Sequence, residues 1–261
     1  MRRFSAWRNA LSLFTVIPTG TDGELGEGDA ARAVLWMPAV GLLLGVAGAG
    51  VIAGVAVTGD GDSGPRRLLG AALAVALLAL LTGGLHLDGL ADTADGLGSR
   101  RPAPDALDIM RRSDVGPMGV ATLVLVLLIQ VTALAAEPSA PAAGFGLMLA
   151  TVTGRTSVVL ATGSRAARPG GFGALVAGQT SARGRLLSAM PLAVVVVGGG
   201  LGFGGWELII RGLAAAAAGL AAGTAVRVIT VRRLGGVTGD VFGAVMEIST
   251  AAALTMYALV G

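Results

Sequence analysis

No cysteine and no lysine occur in these 261 residues, and there is a single histidine, His86. The first absence excludes disulfides, thiol nucleophiles and thiolate metal sites, and leaves the redox compartment open. Charge is scarce as well: 13% of the chain is charged, against roughly 25% for a soluble domain. Aromatics make up only 4%, so the apolar surface is built from Ala, Leu, Val and Gly. What is present is 54% hydrophobic residues, 43 glycines and a mean hydropathy of +0.78. That combination indicates an all-α polytopic membrane bundle, in which small residues let helices approach closely. The isoelectric point near 10.8 resembles that of a nucleic-acid binder, yet the net charge is only +3. The basic residues fall in short arginine clusters between apolar runs, which is a topology signal.

At the N-terminus, Phe4, Trp7, Leu11 and Phe14 recur at helical spacing with Arg3, Arg8 and Asn9 between them. This favours an interfacial amphipathic helix over 1–18 rather than a signal peptide, because the apolar part is short and no A-x-A-like site follows. Apolar segments then fall at 34–57, 68–84, 119–136, 141–161, 186–205, 208–229 and 240–260. Each approaches the roughly 20 residues that span a bilayer. Six or seven spans both fit, the division within 186–229 being weakest, with Trp206-Glu207 expected to make the turn. Small-xxx-small pairs at Gly41/Gly45, Gly50/Gly54 and Gly219/Gly223 predict helix packing. The chain reads as one transmembrane domain, 1–261, with cytoplasmic loops at 85–118 and 162–185.

Arginine distribution orients it. With seven spans and the N-terminus inside, fourteen arginines lie in the inner segments 1–33, 85–118, 162–185 and 230–239. The outer connections hold Arg66 and Arg67, offset by Asp60 and Asp62, with Arg211 at a boundary. This positive-inside bias puts the polar motifs on the cytoplasmic side; the membrane is expected to be a bacterial inner membrane.

The most unusual stretch is 82–100, TGGLHLDGLADTADGLGSR. Asp88, Asp92 and Asp95 stand at i, i+4 and i+7, so on a helix their carboxylates share a face. Like charges so placed need a cation to stay ionised together. Carboxylates without cysteine or clustered histidine favour Mg²⁺ or Mn²⁺, shared with substrate phosphates; a solvated acidic loop is the plain alternative. Residues 92–100 are also similar to the start of the CDP-alcohol phosphotransferase motif, although that motif's later acids are not reproduced. His86 fits a structural hydrogen bond, a phosphate contact or proton transfer. Arg111-Arg112-Ser113-Asp114 before Gly116 fits a phosphate clamp or a plain juxtamembrane loop. Arg155 lies inside an apolar segment, as a functional group or a snorkelling one. The glycine-rich, arginine-bearing loop 167–185 suits a lid over an anionic ligand or a plain flexible loop. Asp240 and Glu247, seven apart near a cytoplasmic helix end, suit a second ligand set facing the first three acids, or an ion pathway.

Over nearly its whole length the chain resembles the cobalamin synthase family, the adenosylcobinamide-GDP ribazoletransferases. The resemblance rests on F-T-V-I-P, on W-M-P-A-V-G-L-L-L-G (36–45) and on T-G-G-L-H-L-D-G-L-A-D-T-A-D-G-L (82–97). V-G-P-M-G and L-G-G-V-T-G-D-V-F-G-A-V-M-E (234–247) complete it. One departure is that Arg112-Ser113-Asp114 exchanges the charges of the family's D-S-R, with an acid and a base still two residues apart. The resemblance implies transfer of α-ribazole, or its 5′-phosphate, onto adenosylcobinamide-GDP with release of GMP. It implies Mg²⁺ held by Asp88, Asp92, Asp95 and Asp240, with catalytic roles for Asp92, Asp95, Glu247 and His86. Arg100, Arg155, Arg112 and Ser113 would bind substrate. Expected partners are those two substrates and the lipid bilayer, with no nucleic acid; a homo-oligomer or a complex with other cobalamin-pathway enzymes is left open. The competing readings are a UbiA-like prenyltransferase, a CDP-alcohol phosphotransferase proper and a cation or proton carrier.

Overall fold

A computed structural model describes residues 2–20, 28–58 and 63–261. Asp60, Asp62 and most of the acidic stretch after Pro18 lie outside the described residues. Thirteen α-helices follow one another among the described residues. The first two are α1 (Arg2–Phe14) and α2 (Asp29–Val34), leading into α3 (Met37–Ala56) and α4 (Gly64–Leu81). Next come α5 (Leu85–Gly98), α6 (Ala103–Ile109), α7 (Pro117–Ala135) and α8 (Ala140–Ala161). Short α9 (Gly171–Val176) and α10 (Ala182–Ser188) precede α11 (Met190–Gly199), α12 (Gly205–Leu234) and α13 (Gly239–Val260). Seven candidate spans result: α3, α4, α7, α8, α10 continued through α11 to Gly202, α12 and α13. Where six or seven spans are expected, seven helices are long and apolar enough to cross a membrane.

Proline explains several helix starts, because its missing N–H costs nothing in a first turn: Pro38, Pro65, Pro117, Pro141 and Pro191 all sit there. The turn between α11 and α12 differs from expectation. It is made by a π-helical Gly200–Gly204 and by Gly205 at φ 62°, while Trp206 and Glu207 open α12. Only glycine enters that left-handed conformation without strain.

Helix α8 is the axis of the bundle, with 89% of its span window buried. Gly41 and Gly45 of α3 pack on Thr151 and Met148 of α8, and a Cβ at Gly45 would stand 2.7 Å from the Met148 Cα. Gly219 and Gly223 of α12 meet Thr153, Ser157 and Ser249 in the same way. Gly50 and Gly54 are a correction: neither has an atom within 4 Å of its added Cβ, so this pair packs against nothing described. Ser157 and Ser249 share a 2.8 Å hydrogen bond, and Ser249 donates to the Gly219 carbonyl at 2.8 Å. These polar contacts join α8, α12 and α13 where water is excluded.

The polar connections gather at the two ends. At one end Val16 donates to the Leu81 carbonyl, Ala166 bridges Val237, and Arg168 reaches both Leu107 and Asp240. Helix α1 docks there with Ala6, Ala10 and Phe14 buried and Arg8 exposed, and Trp7 lies edge-on to Trp36. That is the amphipathic helix expected. At the other end Arg211 pairs with Glu137 at 2.7 Å, donates to the Tyr257 carbonyl and stacks over the Tyr257 ring.

Candidate active site

Helix α5 carries the acids, and two glycines set where it lies. A Cβ at Gly89 would come within 2.7 Å of the Asp240 carbonyl oxygen, and one at Gly243 within 2.7 Å of that of His86. The backbones of α5 and α13 therefore touch, which places Asp88 and Asp92 beside Asp240 at the N-terminus of α13. Thr238 caps that helix through the Val241 N–H and also donates to Asp240 Oδ2 at 3.1 Å. Arg168 adds a 3.4 Å contact to the same oxygen and donates to the Leu107 carbonyl at 3.1 Å, tying the 162–170 connection to α6 and α13.

The three aspartates of α5 do different things. Asp88 is exposed and lines a cavity of about 410 Å³ with Arg168 and Asp240. Asp95 accepts from the Gly116 N–H at 2.7 Å and the Gly119 N–H at 2.9 Å. It is thus a remote cap for α7, whose first amides lack partners within their own helix. Asp92 stands between them and lines a second cleft, about 240 Å³, with Asp95, Arg112 and Asp114. Burial pushes its carboxyl up to about 6; the charges of Asp88, Asp240 and Asp95 add to this and Arg168 opposes it. Negative potential therefore concentrates at Asp92.

Among the described residues no group of three such side chains forms a ready-made metal cage. The donor set is nonetheless all carboxylate oxygen, and it opens onto two cavities. That suits an ion held by one or two carboxylates with the remaining positions left to water and phosphate, the usual habit of Mg²⁺.

His86, Arg155 and Glu247 form a second group, of which His86 also lines the 410 Å³ cavity. Together with Gln130, Thr82, Thr151 and Thr250 they line a cavity of about 30 Å³, room for roughly two waters, among α4, α5, α7, α8 and α13. Gln130 donates to Glu247 Oε2 at 2.8 Å, and Arg155 Nη1 donates to the Thr151 carbonyl at 3.2 Å. Arg155 is 3% exposed on the central helix, so it does not snorkel. His86 Nδ1 and Arg155 Nε have no hydrogen-bond partner among the described residues. Burial first, then the Arg155 charge, pulls the His86 imidazole down to about 3, so it is neutral at ordinary pH. Glu247 lies two turns beyond Asp240, about 10 Å along the axis, away from the aspartates.

The remaining expectations divide. Arg112 and Asp114 line the 240 Å³ cleft together, so the exchanged pair still presents one base and one acid to it. Ser113 between them is exposed and is not part of that lining. Arg100 ends α5 in a left-handed conformation, φ 56°, exposed and outside both cavities. Two contributors went unnoticed in the sequence. Arg168 was one arginine among several in its loop, with no spacing to single it out. Gln130 did carry a signal, as a lone amide in an apolar span.

Comparison with known proteins bears on this arrangement. The family model described as cobalamin-5-phosphate synthase (CobS) matches residues 6–258. A Frankia casuarinae protein named adenosylcobinamide-GDP ribazoletransferase is 40% identical over 260 residues, 97% of this chain and 94% of that one. Proteins of the same name from Pseudomonas fluorescens and a Nocardioides species are 36% and 35% identical, covering 96% and 97% of this chain and 97% and 98% of theirs. No solved structure matches. A match over residues 6–258 takes in both acidic elements and every span, and the chain belongs to the cobalamin-5-phosphate synthase family.

Proposed function

We propose that this chain transfers α-ribazole, or its 5′-phosphate, onto adenosylcobinamide-GDP in the membrane, releasing GMP. The observation that carries this is the meeting of Asp88 and Asp92 with Asp240 across the Gly89–Gly243 contact, with Arg168 on the same corner. A ribose hydroxyl oxygen of the ribazole forms a bond to the cobinamide-linked phosphorus. The bond from that phosphorus to the bridging oxygen breaks, GMP departs with the oxygen, and the hydroxyl proton passes to a carboxylate or water.

One or two carboxylates drawn from Asp88, Asp92 and Asp240 would hold Mg²⁺, with water and phosphate completing its shell, and the ion would neutralise the charge of the pyrophosphate and of the departing GMP. The protein's own part is positioning. Asp95 fixes the start of α7, and with it the Arg112–Asp114 side of the cleft. Arg168 offers a cation to phosphate where the acids would otherwise repel it. Arg155 and Glu247 brace α8 and α13 from behind, and His86, lining both cavities, joins them to the acidic corner; this reassigns Glu247 from chemistry to support. The acidic corner faces the cytoplasm, in line with the arginine distribution and with where nucleotides are found.

Detergent-purified protein given adenosylcobinamide-GDP and α-ribazole is expected to release GMP only when Mg²⁺ is present. No release, or release untouched by chelation, contradicts the proposal.

A further inference from the structure

The 410 Å³ cavity has a lining more specific than phosphate chemistry requires. Much of it is apolar and deeply buried: Phe14 from α1, Met37 from α3, Val158 from α8 and Phe242 from α13. Phe172 of α9 closes it, its ring 5.6 Å from that of Phe14 and nearly perpendicular at 83°. Its polar side is the acidic corner, with Asp88, Asp240 and Arg168, together with His86 and Thr238. We propose that this cavity is the seat of the ribazole, its benzimidazole among the phenylalanines and its ribose toward the carboxylates; the inference rests on the function proposed above.

Size and chemistry both select this ligand over the other parts of the reaction. A volume of about 410 Å³ lies in the range of small-molecule sites, roughly 300–1,000 Å³, and takes a nucleoside but not a corrin macrocycle. Guanine carries an edge of donors and acceptors that costs several kcal/mol to bury unpaired, of order 2–7 per group. Of the polar side chains in the lining, Thr238 caps α13 and binds Asp240, and Arg168 binds Leu107 and Asp240. Asp88 and His86 come from α5, on the side of the carboxylates where the ribose is placed, so the aromatic side supplies guanine with no side-chain partner. A dimethylbenzimidazole presents methyl groups and a flat ring instead, which edge-to-face and offset aromatic contacts suit. The geometry also divides the labour: the ribazole approaches the acids from this cavity, and the 240 Å³ cleft with Arg112 and Asp114 is left for the GDP side.

Two variants of opposite sense test it, both on the short α9. Ala174→Leu fills the cavity and Phe172→Ala enlarges it. Equilibrium dialysis of radiolabelled α-ribazole against the purified full-length protein, without the corrinoid, is expected to show binding weakened at least about tenfold by Ala174→Leu and severalfold by Phe172→Ala. Excess GMP should not displace the label. Initial rates should show KM for α-ribazole raised in parallel and KM for adenosylcobinamide-GDP within about twofold of wild type. Displacement by GMP, a KM rise for the corrinoid instead, or a KM for α-ribazole unmoved in both variants would overturn the assignment. A wild-type protein that releases no GMP defeats the proposed reaction, whereas dialysis still reads the cavity on its own.

Discussion

Asp92 and Asp95 are three residues apart on one helix, yet their surroundings assign them different work. Asp95 has both oxygens on backbone amides of the α7 start, while Asp92 has none so engaged and sits where four carboxylates crowd. Asp92→Asn is therefore expected to lower kcat/KM about 100-fold, near 2.7 kcal/mol of transition-state stabilisation, without lowering the melting temperature. Asp95→Ala should lower both, with about 1 kcal/mol lost from stability as the α7 cap disappears. Equal melting temperatures for the two variants would show that the capping contact carries no weight. At this scale the sequence was informative about identity but not about partnership. Spacing put three carboxylates on one face; which of them an amide would claim depended on where α7 begins in space. The grouping of His86, Arg155 and Glu247 was hidden for the same reason, since the three lie on different helices and meet only through a crossing angle.

Between elements, the α5–α13 contact is the joint on which the site depends. Gly89 has no room for a side chain, so Gly89→Val should separate α5 from α13 and abolish GMP release while the rest of the bundle still melts cooperatively. Wild-type activity in that variant would mean the helices need not touch. The far end of the bundle offers a control. Burial pushes the Glu137 carboxyl up, opposed by the hydrogen bond and charge of Arg211. Glu137→Ala leaves Arg211 unpaired at 14% side-chain exposure and should cost about 3–5 kcal/mol of stability, read as a lower melting temperature with KM unchanged. The positions of the spans were legible because twenty-residue apolar runs and first-turn prolines are local signals. Gly50/Gly54 misled because a small-residue pair states that close packing is allowed, not that a partner helix is there. The turn near Trp206 was misplaced because a glycine run takes many conformations, and only its neighbours chose the left-handed one at Gly205.

For the molecule as a whole, the bundle gathers 2–20, 82–116, 162–181 and 235–238 at one end, the end where the arginine distribution puts the cytoplasm. A reporter fused within 162–181 is expected to be cytoplasmic, and a periplasmic result would invert the topology. The central claim is that acids from two distant stretches act as one site. Asp240 tests it best, because nothing in the 82–100 stretch includes it. The decisive measurement is the Mg²⁺ dependence of GMP release in wild type and in Asp240→Asn. The account predicts a half-activating Mg²⁺ concentration raised at least about tenfold in the variant, with near-normal rates restored only toward saturation. An activation curve identical to wild type would place Asp240 outside the site and contradict it.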